Sequence, residues 1–373
     1  MPKLRALQSL RAIAALLVLL DHTAGLTAGH GFPHEPLTSW ATFLGAQGVS
    51  IFFIISGFIM TYTADLAEDQ TPPPMRATRF AARRIIRVVP LYWILTVVTA
   101  IPMFLIGLHR PVGITVARFM KSLLFIPYLD AGGNMTPVLP IGWTLNYEMA
   151  FYALFAAILL LPHRVRTAAL LGVLSAVVIS GSFFYPILSG VNPHTALAFL
   201  SNPVILLFGL GAALGWLKLE YPQWLLQVPS VTLAAPLLAI NFCIFALAVR
   251  HPPVALRWSA LFWFTDFMIV ALCAFGRAGT WPRLEALGDA SYSLYLIHLL
   301  PVFAMYFLWQ SLHFPYPVVF IAVTIGLAIA TGLAAYRWIE RPLTRAISRL
   351  VFPPATGRVT VGEVAEATVS GQP

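Results

Sequence analysis

The chain has 373 residues, 59% of them hydrophobic and only 10% charged, with a mean hydropathy of +0.82. A soluble domain carries about a quarter charged residues, so this composition excludes one and indicates a polytopic membrane protein. The net charge of +9 would suit a nucleic-acid partner in a soluble protein, but here Lys and Arg gather in alternate loops, as orientation in a membrane requires; no nucleic-acid partner is expected.

Apolar windows of about 20 residues predict an all-α transmembrane bundle of about ten spans. They fall at roughly 9–29, 43–64, 85–108, 143–161, 167–187, 196–217, 228–248, 257–276, 287–309 and 317–338. The stretch 114–129, broken by Arg118 and Lys121, reads as interfacial or re-entrant. With the N-terminus inside, only Arg110, Arg118, Lys121, Arg250 and Arg257 of the 23 Lys and Arg lie outside, so both termini are expected to be cytoplasmic. Residues 1–350 form one transmembrane domain, and the aperiodic tail 351–373 is expected to be disordered. The N-terminus imitates a signal peptide, but Asp21 and His22 interrupt the apolar run and no small-residue cleavage site follows; it reads as a retained first span. Cys243 and Cys273 sit in apolar runs without metal-ligand spacing, so they read as buried small hydrophobes, and neither a metal site nor a disulfide is expected.

Span one carries Arg11 and His22. Eleven residues make three turns to within about 20°, so both lie on one face, about 16 Å apart along the axis. Arg11, at the membrane exit, suits an anionic head group. His22 lies deep, where an ionisable side chain is costly and faces the protein interior. A topological anchor and a histidine bonded to a neighbouring helix is the simpler alternative.

Span two places Ser56 and Gly57 in mid-membrane among aromatics, where small residues let helices approach. Span three opens with five arginines between Arg76 and Arg87; Arg84 and Arg87 share a face, where two guanidinium forks suit a phosphorylated ligand or a positive-inside anchor. Span four begins at Trp143 and holds Glu148, an intramembrane carboxylate and so a candidate functional residue, with Tyr152 one turn on. Asp266 in span eight is a second carboxylate. Span nine carries a polar stripe of Ser291, Tyr295 and His298, suited to a hydrogen-bonding cluster or an acyl-acceptor pocket. Span ten runs into Glu340-Arg341-Pro342, and Pro342 is predicted to end it. No GxSxG elbow, P-loop or HExxH is present, so hydrolysis by an activated serine is not signalled.

Together these stretches resemble the acyltransferase-3 family of membrane acyltransferases over about residues 4–345. Five motifs carry the resemblance in order: Arg11 with His22; Phe-Phe-x-x-Ser56-Gly57-Phe; Arg84-x-x-Arg87-x-x-Pro-x-Tyr-Trp; Trp143-Thr-Leu-x-x-Glu148-x-x-Phe-Tyr152; and Ser291-Tyr-Ser-Leu-Tyr295-Leu-Ile-His298. The resemblance implies transfer of an acyl group, commonly acetyl, from acyl-CoA to a hydroxyl of a carbohydrate or other small acceptor. No permanently bound cofactor is implied. It also implies a cell-surface or secreted glycan as the product's home and the inner membrane of a bacterium as the site. Carried over by motif, His22 is catalytic and Arg11, Arg84 and Arg87 face the CoA phosphates. On the residues alone, Glu148 is the better candidate than Asp21 to orient His22 or carry a second proton, because Asp21 points about 100° off the His22 face. Ser56, Trp143, Tyr152, Ser291, Tyr295 and His298 are the expected substrate pocket. The rival reading is a proton-coupled transporter or flippase of a glycolipid or small solute, with His22, Glu148 and Asp266 as its relay. Oligomeric state is left open.

Overall fold

A computed structural model describes residues 4–26, 35–66, 71–107, 115–130, 132–184, 194–222, 255–276, 281–313 and 316–353, with parts of 236–246. Among these, every regular element is helical. The order is α1 (Arg5–Gly25), α2 (Glu35–Leu66), α3 (Pro73–Gly107), α4 (Val116–Leu123), α5 (Trp143–Ile158), α6 (His163–Phe184), α7 (Ala196–Leu200) and α8 (Leu206–Glu220). There follow α9 (Ala255–Phe275), α10 (Pro282–Asp289), α11 (Ser291–Ile297), α12 (Leu299–Leu312), α13 (Pro317–Ala335), a π turn (Tyr336–Glu340) and α14 (Arg341–Val351).

Six helices among the described residues are long and apolar enough to cross a membrane, or seven if the bent pair α11–α12 counts as one span. That is fewer than the ten expected. The window at 143–161 forms a 16-residue helix, and the window at 257–276 contains a shorter apolar helix, Leu261–Phe275. The window at 228–248 lies largely outside the described residues. The stretch 114–129 holds only the eight-residue α4, in keeping with its reading as something other than a span.

Helix α2 is the bundle's central post, packed on α1 and α8. Two glycines allow the second contact. A Cβ on Gly57 would run into the Phe208 carbonyl oxygen of α8, and one on Gly211 would run into the Ile54 carbonyl of α2. Phe53 and Phe151 then stack on Phe208, at 4.4 and 4.5 Å between centroids. Cys273 is half-buried and Cys243 exposed, so Cys243 is not the buried hydrophobe expected; on a membrane bundle an exposed apolar side chain meets lipid.

Prolines shape the last third. The window at 287–309 is three helices rather than one, and α11 and α12 meet at His298 with a bend of 41°. Pro301 has no N–H for the Ile297 carbonyl and its ring crowds that turn, which is where the helix breaks. Pro342, by contrast, does not end its helix as expected. The helix runs on from Pro317 to Val351, and the π turn just before Pro342 widens the backbone beside a residue that has no N–H to give.

The connection from α4 to α5 is tied down by Ser122. Its hydroxyl accepts the Val138 N–H at 2.9 Å and pairs with the Tyr128 hydroxyl at 2.9 Å, while Tyr92 donates to its carbonyl at 3.1 Å. Trp93 donates to the Leu123 carbonyl at 2.9 Å. Burial raises the Tyr128 hydroxyl above its ordinary pKa, so it stays a neutral partner. Ser122→Ala strands the buried Val138 N–H and is expected to cost about 1–3 kcal/mol. A lowered Tm in detergent would register it; an unchanged Tm would contradict the role.

Candidate active site

Helices α1, α2, α3, α5 and α11 line a partly open cavity. Apart from α1, each helix contributes residues a turn or so apart, which helical geometry places on one face. Helix α3 gives Arg84 and Arg87; α5 gives Thr144, Glu148 and Tyr152; α11 gives Ser291, Tyr292 and Tyr295. Arg11 enters from α1, and α2 supplies Ser56 with an apolar wall that includes Phe52 and Phe53.

Charge in this chamber is unbalanced, with three guanidiniums against the single carboxylate of Glu148. Glu148 accepts hydrogen bonds from Tyr152 and, at 3.5 Å, from Ser56. The Arg84 guanidinium lies over the Phe80 and Tyr152 rings, 5.4 and 5.9 Å from their centroids. Among the described residues none of the three arginines makes a salt bridge. Arg84 Nε and Ser291 Oγ are buried without a hydrogen-bond partner among the described residues. Buried donors without acceptors beside an excess of cations suit an anionic or strongly polar ligand. No group of three His, Cys, Asp or Glu able to hold a metal occurs among the described residues.

His22 and His298 do not line the chamber but stand together behind Tyr295, whose ring is 6.0 Å from His298 and 5.9 Å from Phe52. The two imidazoles are 5.0 Å apart between centroids. His298, at the α11–α12 break and 1% exposed, has Nδ1 2.7 Å from the Tyr295 carbonyl and 3.2 Å from the Leu294 carbonyl. Carbonyls only accept, so Nδ1 carries the proton and Nε2 a lone pair. That Nε2 is 3.4 Å from His22 Nδ1, which is itself 2.9 Å from the Val18 carbonyl and must therefore be the N–H. With Nδ1 as the donor, Nε2 is the nitrogen left to carry the lone pair whenever the ring is neutral, the atom a general base needs.

The chamber thus gathers Arg11, Ser56, Arg84, Arg87, Glu148, Tyr152, Ser291 and Tyr295. His22 and His298 form a second group beside it. Trp143 belongs to neither; its ring meets Tyr147 edge-on at 6.1 Å. The imidazole's neighbour is His298, whereas Glu148 is bonded to Tyr152 and Ser56 and does not orient His22 as expected. Asp21 is turned toward Gly45 of α2. Asp266 is fully buried away from the chamber and accepts from Gln47 at 3.3 Å. Sequence reasoning missed Thr144 and Tyr292. Thr144 shares a hydrogen bond with the Tyr295 hydroxyl at 2.8 Å, and Tyr292 donates to the Val88 carbonyl at 2.6 Å. Thr144 stands one turn before Glu148, a spacing that could have found it.

The described residues thus place a cation-rich chamber next to a pair of histidines within a helical membrane bundle. A family model described as an acyltransferase domain matches residues 4–336. The chain belongs to that family, acyltransferase-3, and is an integral membrane acyltransferase. It is 36% identical over 335 residues to the exopolysaccharide production protein ExoZ of Rhizobium meliloti, covering 88% of this chain and 95% of the relative. It is 27% identical over 386 residues to the putative peptidoglycan O-acetyltransferase YrhL of Bacillus subtilis, covering 93% of this chain but 56% of that longer protein. No solved structure matches.

Proposed function

We propose that the protein transfers an acyl group, acetyl foremost, from cytoplasmic acyl-CoA to a hydroxyl of a cell-surface polysaccharide, in the inner membrane of a bacterium with both termini cytoplasmic. The observation that carries this reading is three guanidiniums in one chamber, none in a salt bridge among the described residues, beside His22, whose Nδ1 is bonded to the Val18 carbonyl so that Nε2 is left to act as base. CoA is a polyanion, and guanidinium forks match phosphate. The names of the two relatives support a glycan acceptor.

In this reading His22 Nε2 takes the acceptor's hydroxyl proton as the oxygen attacks the thioester carbonyl. The new C–O bond forms, the C–S bond breaks, and the leaving thiolate takes the proton back from the imidazolium. The products are the ester and free CoA. His298 accepts the His22 Nδ1–H throughout, and most strongly while His22 is charged. Glu148 holds the Tyr152 ring on which the Arg84 guanidinium rests.

The transporter reading needs a path joining His22, Glu148 and Asp266. Among the described residues their hydrogen bonds lead to His298, to Tyr152 and Ser56, and to Gln47, not to one another. The discriminating experiment is purified protein in detergent with acetyl-CoA and an extracellular polysaccharide fraction, read as free thiol. Acceptor-dependent release without a gradient or sealed vesicle is expected. No release across several acyl-CoAs and acceptors, with solute flux in sealed vesicles, would overturn the proposal.

His298→Ala is expected to lower kcat by about tenfold or more, part of the 10²–10⁴ that a general base supplies, with KM for the donor unchanged. His298→Gln, which keeps an acceptor for His22 Nδ1–H, is expected to recover part of the loss. A wild-type kcat in His298→Ala would contradict the role.

A further inference from the structure

A second, more open cavity adjoins the first and shares Arg11 and Arg87 with it. These two arginines therefore stand at a common boundary. On the far side the lining changes character. Where the first chamber has an aromatic and aliphatic wall, the second is formed largely by Gln8, Thr344, Arg341 and Arg345, with Tyr336 as its aromatic ring and Asp289 and Glu340 as its two carboxylates. Four guanidiniums face two carboxylates, and Glu340 is already engaged by the Ser293 hydroxyl.

The π turn at Tyr336–Glu340 sets this arrangement. It inserts one residue into the helical register, which rotates everything beyond it by about 100°. Arg341 and Arg345, one turn apart on α14, line the cavity together. Both are exposed, and among the described residues neither makes an ion pair. Gln8, opposite, has its Oε1 buried with no hydrogen-bond partner among the described residues. A buried acceptor and two arginines without an ion pair, facing one void, describe a site for a ligand with several phosphates and donor groups of its own.

We infer that this second cavity seats the phosphorylated nucleotide head of the thioester donor, with Arg341 and Arg345 as phosphate ligands distinct from those of the first chamber. The inference rests on the acyl-CoA reading above. Arg11 and Arg87 then flank the passage through which the donor's thin arm enters the first chamber. Division of the donor between a wet polar vestibule and a partly apolar chamber explains why the cations occur in two groups.

The test is equilibrium binding of CoA and of pantetheine, which lacks the phosphates and the nucleotide, to purified protein in phospholipid-free detergent. The wild type is compared with Arg341→Gln/Arg345→Gln, Arg341→Lys/Arg345→Lys and Arg11→Gln. The Gln pair is expected to weaken CoA binding 10- to 100-fold, leave pantetheine binding unchanged, and keep the wild-type Tm, since both side chains are exposed. The Lys pair, a point charge without the fork, is expected to recover part of the affinity. Wild-type CoA affinity in the Gln pair, with affinity lost in Arg11→Gln, would overturn this inference and leave the acyl-CoA reading standing. No CoA binding by the wild type would overturn both. If the Gln pair instead lost binding of phosphatidylglycerol and kept that of CoA, the two arginines would belong to lipid head groups and the inference would fall.

Discussion

His22→Ala is expected to bind acyl-CoA with wild-type affinity and to lower transfer by about 10²–10⁴-fold, the range a positioned general base contributes. The separation of effects follows from the architecture. The chamber is lined by Arg11, Arg84 and Arg87, whereas His22 stands outside that lining, paired with His298. Removing the imidazole leaves the phosphate ligands untouched and removes only the proton acceptor. His22→Gln is the sharper version: it keeps bulk and a donor for the Val18 carbonyl but offers no basic nitrogen, and it is expected to be as inactive as the Ala variant. Thiol release against acyl-CoA concentration separates kcat from KM. Retention of most of the rate in His22→Gln would contradict the base role.

Gly57→Ala is expected to be among the most damaging single-methyl changes in the bundle, with Gly211→Ala on the facing helix its counterpart. A helix-interior Gly→Ala normally gains about 0.8–1.0 kcal/mol in propensity. At Gly57 the new methyl would strike the Phe208 carbonyl and crowd the Ala212 nitrogen, all backbone, so no side chain can turn aside. Helices α2 and α8 must separate, and the Phe53 and Phe151 stacks on Phe208 separate with them. Overpacking of this kind costs about 1–3 kcal/mol where side chains can yield, and backbone yields less. Gly172→Ala on α6 is the matched control, because nothing lies within 4 Å of the point its new methyl would occupy. Thermal unfolding in detergent is expected to show a fall in Tm for Gly57→Ala and none for Gly172→Ala; equal shifts would contradict the close approach of α2 and α8.

Much of this is legible along the chain because membrane helices write local signals. Apolar windows locate the long helices, and the one-turn spacing of Arg84 with Arg87 and of Glu148 with Tyr152 puts each pair on a single face. Arg11 and Ser56 reach the same chamber through their motifs. What local patterns cannot encode is which helices touch. Spacing alone therefore assigns Glu148 to His22, though the true partner, His298, stands in view as the end of a polar stripe. The break at His298 is signalled by Pro301 but masked because the window remains apolar across it. At Pro342 the sequence rule is sound for a regular α-helix, but a π turn just before it changes the register and lets the helix run on to Val351. Gln8, Tyr336, Arg341 and Arg345 carry no local signal beyond topology, since only the tertiary fold brings α1, α3 and α14 around one cavity.

Acyl-CoA as donor, an acceptor hydroxyl as nucleophile and His22 as base are tested together by mass spectrometry of an extracellular oligosaccharide incubated in detergent with the purified protein and isotopically labelled acetyl-CoA, the sole acyl source. A labelled acetyl ester on the saccharide is expected with the wild type and none above background with His22→Ala. An unlabelled saccharide with wild-type protein that binds acetyl-CoA, or equal labelling by His22→Ala, would contradict these roles.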